Sequence, residues 1–258
     1  MLDASAIVGS WPFLDTTGNT LESLAAKLTE VGVRGAALAP AESILHPEPM
    51  AGNRRLIAAA RAYRGPLAAH LTPIIDPSLP IWREHLDACV REGGPALAGI
   101  KILPNYHVYP ADSAPVHELA EALEARGLTL CIQVRMFDER SHHRLMRVPP
   151  VAAAEIVRLA SAHPRLPILV CGPYIRELSE YKAAPNVSAE MSFVESGRTL
   201  QEALAALGPD RLLMGTHAPL LYPAAGVAKV DADDLPAGDR LKLAEGNFRR
   251  VFRRAFPG

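Results

Sequence analysis

Lys101, Gln133, Arg135, Glu190 and His217 are the residues with which this sequence could do chemistry. Each falls in or just beyond a short apolar run, where a polar side chain is costly unless it has a partner or a task. His217 follows the run Leu212 to Thr216 and is the expected acid or base, since imidazole titrates near neutral pH; capping of loop backbone is the alternative. Lys101 lies inside Ala98 to Pro104 and Glu190 inside Val187 to Phe193, so the two are expected either to work on a substrate or to neutralise each other as a buried pair. Gln133 and Arg135 close Leu128 to Met136 and are expected to hold substrate, because a guanidinium fork matches a carboxylate with two parallel hydrogen bonds. The loop beyond them carries Asp138, Glu139, Arg140, His142 and His143. It reads as a substrate contact through His142, or as a solvated loop whose charges pair among themselves. Tyr106, five residues past Lys101, joins the candidate substrate contacts.

These runs belong to a regular series: Leu2 to Gly9, Gly35 to Pro40, Leu67 to Ile74, Ala98 to Pro104, Leu128 to Met136, Ile168 to Gly172, Val187 to Phe193 and Leu212 to Thr216. Between them, spacings such as Leu21, Leu24, Ala25, Leu28 and Val116, Leu119, Ala120, Leu123 paint one face of a helix. Thr20 is placed to start the first helix and Gly127 to end a later one. Strands and helices in alternation imply parallel pairing with right-handed crossovers. Eight such units predict a single-domain α/β fold over residues 1–258, a (β/α)8 barrel, with a doubly wound sheet as the alternative. The stretch Pro219 to Gly238 reads as a long loop before a final helix. In such a barrel the loops after the strands converge on one mouth, and the polar residues named above fall there. His70 is expected in the core, with a place at the mouth as its alternative.

Charge excludes some partners. With 27 basic and 28 acidic residues and no basic block, nothing draws the chain to nucleic acid or to a membrane surface. No apolar run approaches the roughly 20 residues of a membrane span, and the first strand begins too early for a signal peptide, so a cytoplasmic location is expected. Cys89, Cys131 and Cys171 are expected as reduced core thiols. Trp11, Pro12 and Phe13 offer either a pocket wall or a contact in a homo-oligomer.

Several segments carry a family likeness: Leu2-Asp3-Ala4, Gly99-Ile100-Lys101 with Pro104, Pro185-Asn186-Val187, the run Arg211 to Thr216, the Gly-Thr-x-x-Pro segment from Gly215 to Pro219, and Glu245 to Phe252 with Asn247. Together they resemble the amidohydrolase-related superfamily of metal-dependent hydrolases, over nearly the whole chain. The resemblance implies a TIM-type barrel and a small-molecule substrate. The implied activity is that of a hydrolase acting on a small carbonyl or carboxylate compound, a lactone, ester or amide. It also implies a divalent metal held by two histidines on the first strand, one each on the fifth and sixth, and an aspartate on the eighth. Ser5 and Ile7, Gln133, Cys171 and His217 stand at those positions here. The expectation is therefore a divergent member with a non-standard, metal-free site, in which Ser5 contacts substrate and Lys101 an oxyanion. A zinc or manganese site rebuilt from Glu190, His217 and the loop histidines remains open. Two other readings stand beside hydrolysis: a non-catalytic barrel that binds a small acid, and a decarboxylase or isomerase of the same superfamily.

Overall fold

Eight parallel strands alternate with helices in the computed structural model, which describes residues 1–14, 19–142, 147–231 and 235–256. The strands are β1 (Leu2–Val8), β2 (Gly35–Pro40), β3 (Ala68–Leu71), β4 (Gly99–Ile102), β5 (Thr129–Gln133), β6 (Ile168–Cys171), β7 (Val187–Glu190) and β8 (Leu212–Leu213). They pair in two arcs, β1 to β3 and β4 to β8. Hydrogen bonds across both gaps close the arcs into a (β/α)8 barrel. At one seam Ala98 N donates to Leu71 O and Lys101 N to Pro73 O, both at 2.9 Å. At the other, Ala4 N donates to Met214 O at 2.9 Å and His217 N to Ser5 O at 2.7 Å.

All eight expected strands are present, most of them shorter than the apolar runs. β8 stops at Leu213 instead of Thr216 because the backbone beyond it turns its hydrogen bonds to β1. The helices are α1 (Leu21–Glu30), α2 (Met50–Ala62), α3 (Trp82–Gly93), α4 (Ala114–Arg126), α5 (Ala153–Ala162), α6 (Ile175–Leu178), α7 (Thr199–Leu207), α8 (Pro223–Val230), α9 (Ala237–Leu241) and α10 (Asn247–Val251). Apolar spacing decides the face each one buries. In α1 these are Leu21, Leu24, Ala25 and Leu28, with the Thr20 side chain accepting from Ser23 N at 3.3 Å to cap the first turn. In α4 they are Val116, Leu119, Ala120 and Leu123, and Gly127 at φ 64° ends the helix. Each large aliphatic side chain so buried contributes about 2 kcal/mol relative to exposure. The stretch Pro219 to Gly238 is not the loop expected of it, since it holds α8 and the start of α9. Pro223 lacks only an N–H that the first turn leaves unbonded, so it begins α8 and does not break it.

The amino-terminal end of the barrel is stoppered. Phe248, Val251 and Phe252 of the last helical turns pack onto Leu2, Ala4, Ala37 and Ala98, at or beside the starts of their strands. His70 belongs to this floor, its ring 5.3 Å from that of Phe248 and 4.9 Å from that of Phe256. It does not line the mouth. Burial lowers its pKa to about 4, so it sits there neutral. Among the described residues no helix is long and apolar enough to cross a membrane.

Candidate active site at the strand tips

With the floor closed by aromatic rings, the polar side chains of the barrel gather at the opposite end. Asp3, Ser5, Lys101, Gln133, Arg135, Glu190 and His217 are all buried there. In β1 the pairing register shifts between Asp3 and Ala6, a local irregularity of the kind that re-aims side chains beside functional sites. The Asp3 carboxylate accepts from Ser5 N and Thr216 N at 3.0 Å and from Thr216 Oγ1 at 2.5 Å. Burial pushes its pKa up to about 7 in spite of these bonds. The Ser5 hydroxyl lies near enough to the Cys171 thiol to favour its thiolate, and makes no hydrogen bond among the described residues.

Lys101, on β4, donates from Nζ to Gln133 Oε1 at 2.9 Å, and Gln133 Nε2 donates to Arg135 O at 2.7 Å. The amide is therefore oriented, its oxygen fixed toward the ammonium. The ammonium is an electrostatic neighbour of Cys131, Cys171, Glu190 and His217, which places it centrally among the tips. Burial raises the Cys131 thiol well above its usual range, while interaction with that thiol lowers Cys171.

Glu190 and Lys101, for which mutual neutralisation is one of two readings, act on each other electrostatically without a hydrogen bond between them among the described residues. The Glu190 carboxylate accepts from Gly172 N at 2.5 Å, Ser192 N at 2.6 Å and Ser192 Oγ at 2.8 Å. Burial raises its pKa, and those donors oppose the shift. Gly215 makes room for it, since a Cβ there would lie 2.1 Å from Glu190 Oε2.

His217 is fully buried at φ 52°, a backbone conformation that non-glycine residues seldom adopt. Its Nε2 lies 3.0 Å from Met136 O, an acceptor, so Nε2 carries the proton and Nδ1 keeps a lone pair. Nδ1 is buried without a hydrogen bond among the described residues, and the ring meets Phe193 edge-on at 5.2 Å. Burial, reinforced by the Lys101 charge, lowers its pKa to about 3. This imidazole is a neutral hydrogen-bond acceptor at physiological pH.

Arg135 is buried, with its fork already filled. Nη1 donates to Gly172 O at 2.5 Å and to Glu177 Oε2 at 2.8 Å, Nη2 bonds Glu177 Oε1, and the guanidinium lies 3.7 Å over the Tyr174 ring. The carboxylate it grips is the protein's own. His142 ends the short turn Glu139–Ser141 and is half-buried, and His143 lies outside the described residues. Arg140 pairs with Asp138, as the solvated-loop alternative has it.

Tyr106 lines an apolar cover above the tips. Its ring stands 6.1 Å from that of Trp11, which also packs on Phe13 and Phe137, and Ile7, Ile44, Ile74, Leu103, Met136 and Leu220 complete the cluster. Burial pushes the Tyr106 phenol up to about 12. Trp11 is buried in this apolar cluster while Phe13 beside it is exposed, and the buried Trp11 Nε1 has no hydrogen-bond partner among the described residues. Asp3 and Thr216 are the residues around the tips to which sequence reasoning gave no role. The legible signal was an aspartate in an otherwise apolar first strand. Beside the cover a cleft of about 360 Å³ opens between Asp138, Glu139, Arg140, Tyr174 and Phe193.

The amidohydrolase family signature matches residues 82–254. Among solved structures, the fold is similar to that of 5-carboxyvanillate decarboxylase from Sphingomonas paucimobilis, with TM-score 0.74, 16% identity and 98% of each chain covered. It is similar also to a dihydroxybenzoic acid decarboxylase from Polaromonas sp. JS666 with bound manganese and the inhibitor 2-nitroresorcinol, at TM-score 0.74 and 15% identity over 98% of this chain and 96% of that one. An amidohydrolase from Burkholderia multivorans with bound HEPES gives TM-score 0.70 and 14% identity, with 98% of each chain covered. At these identities the likeness is one of fold. No curated protein matches the chain in sequence.

The side chains here do not fit the manganese of the Polaromonas structure. Among the described residues no three His, Cys, Asp or Glu side chains are grouped to hold a metal ion. Asp3 and Glu190 are each occupied by three protein donors, and an ammonium already sits among the tips.

Proposed function

The chain belongs to the amidohydrolase family, and from that premise we propose that it is an enzyme acting on a small hydroxylated carboxylate by release of carbon dioxide. One observation carries this reading: Lys101 spends a single N–H on Gln133, while Ser5 Oγ, Trp11 Nε1 and His217 Nδ1 are buried with no hydrogen bond among the described residues. Buried polar groups left open in this way ask for a ligand that completes them. Lys101, Ser5 and Trp11 offer donors, which suits a carboxylate, whereas neutral His217 offers a lone pair, which suits a hydroxyl. The walls contributed by Trp11, Tyr106, Met136 and Phe193 suit an unsaturated ring.

Hydrolysis has less support. It needs a base able to take a proton from water near neutral pH, and His217, at about 3, is too weak a base for that. In decarboxylation the carbon–carboxylate bond breaks, its electron pair stays on carbon, and a proton takes that pair as carbon dioxide leaves. The Lys101 ammonium binds the carboxylate and supplies the proton. The Sphingomonas and Polaromonas structures, named for the decarboxylation of hydroxylated aromatic acids, agree with this reaction class.

The test is to incubate purified protein with carboxyl-labelled 2,6-dihydroxybenzoate, salicylate and 5-carboxyvanillate, trapping carbon dioxide, with a lactone and ester panel alongside. Labelled carbon dioxide is expected, reduced about 100-fold or more in Lys101→Met. Hydrolysis of a lactone or ester without carbon dioxide release overturns the reading. Ligand binding with no turnover would favour instead the acid-binding barrel, with which the engagement of both terminal nitrogens of Arg135 and of the Glu190 carboxylate by protein groups is also consistent.

A further inference from the structure

We infer that the ammonium of Lys101 is the resident cation of this site, a side-chain charge standing in for a divalent metal ion. Three arrangements support it. Gln133 is locked by the bond from its Nε2 to Arg135 O, so the atom it turns to Lys101 is a neutral amide oxygen, a suitable acceptor for an ammonium at 2.9 Å. The two buried carboxylates nearby are not open to a metal. Glu190 is held by Gly172 and Ser192, and Asp3 by Ser5 and Thr216. The third is the convergence of neighbours. Lys101 acts electrostatically on Cys131, Cys171, Glu190 and His217, which come from four different strands or their ends, so the charge is central among them and not at the rim.

A divalent ion entering the same cup would meet this fixed positive charge in a buried setting, where Coulomb repulsion is poorly screened. The ammonium also differs from a metal in what it can offer a ligand: two remaining N–H donors, and no open coordination position for an activated water. The inference holds whichever reaction the site performs.

Two measurements without turnover test it. In the first, protein freed of metal with a chelator and then desalted is titrated with manganese(II), following the electron paramagnetic resonance signal of the unbound ion. The signal is expected to stay undiminished, and uptake of one equivalent by the wild type overturns the inference. In the second, thermal unfolding of wild type, Lys101→Ala and Lys101→Met is followed with and without millimolar ethylammonium chloride, sodium chloride serving as the ionic-strength control. Ethylammonium is expected to raise the midpoint of Lys101→Ala toward the wild type and to leave the other two unmoved, because only the alanine variant has both the space and the missing charge. A folded Lys101→Ala indifferent to ethylammonium overturns the inference. Should that variant not fold, the manganese titration on wild type and Lys101→Met decides.

Discussion

Thr216 holds Asp3 twice, through its amide at 3.0 Å and its hydroxyl at 2.5 Å, and so bolts the chain beyond the last strand to the first, where the two strand arcs meet. The same carboxylate steadies the irregular stretch of β1 by accepting from Ser5 N. One acidic side chain thus ties the barrel's closure to the placing of Ser5 at the tips.

Asp3 should make stability fall as the medium becomes alkaline. Its pKa rises from 3.8 unfolded to about 7 folded, so the stabilisation it contributes is complete below 3.8 and is lost as pH climbs through about 7. Urea unfolding of wild type and Asp3→Asn across this range should show a flatter profile for the variant. A profile unchanged from the wild type's would mean that the folded carboxyl is ionised throughout.

His70 and His217 act in the opposite sense. Their pKa values drop from 6.5 to about 4 and about 3, so the stabilisation they contribute is complete above 6.5 and is lost as pH falls through those lower values. His70 is remote from the tips, so His70→Phe isolates the effect. Its loss of stability between about pH 6.5 and 4 should be shallower than the wild type's, with ligand affinity at neutral pH unchanged.

Arg135 should prove to be a support and not a ligand contact. Removing it leaves Glu177 largely buried without its cation, which costs about 3 to 5 kcal/mol for pairs of this kind. Arg135→Met should therefore be strongly destabilised in urea. Adding Glu177→Gln should recover part of the loss, a coupling that a double-mutant cycle measures. Additive effects would mean that the pair is not the reason Arg135 is buried.

Gly215→Ala should disturb the site without touching a polar group. The added methyl would lie 2.1 Å from Glu190 Oε2 and 2.9 Å from its Cβ, so Glu190 must shift off Gly172 and Ser192. A loss of about 1 to 3 kcal/mol is expected from the overpacking. A crystal structure of the variant should show the carboxylate displaced, and unchanged geometry and stability would contradict the close fit described here.

The strands and the burial of the site were legible in the sequence because both follow from local pattern: short apolar runs, helix-spaced leucines and alanines, and polar residues where only a partner makes them tolerable. The partners were not legible. For Lys101 the sequence offered a substrate oxyanion or the charge of Glu190, whereas its hydrogen bond goes to Gln133 on the adjacent strand, and Glu190 is satisfied by loop donors whose positions depend on how the chain turns after β6 and β7. Arg135 finds Glu177 across 42 residues, a distance at which charge alone does not choose among the many carboxylates. His70 was left open between core and mouth, because a strand's alternation gives the face of a residue but not which end of a barrel a terminal helix will cover. The helix at Pro223–Val230 was missed because its proline and glycine look like loop residues, although the proline is at the first turn and the glycine packs closely on the backbone of Gly215 and Thr216.

The seam between Asp3 and Thr216 spans 213 positions of sequence. During synthesis the first strand therefore waits, one edge unpaired, until almost all of the described chain has emerged, and bringing such distant segments together is the slow part of assembling a sheet. Until then it is a sticky border that a second nascent chain could pair with as readily as the proper partner.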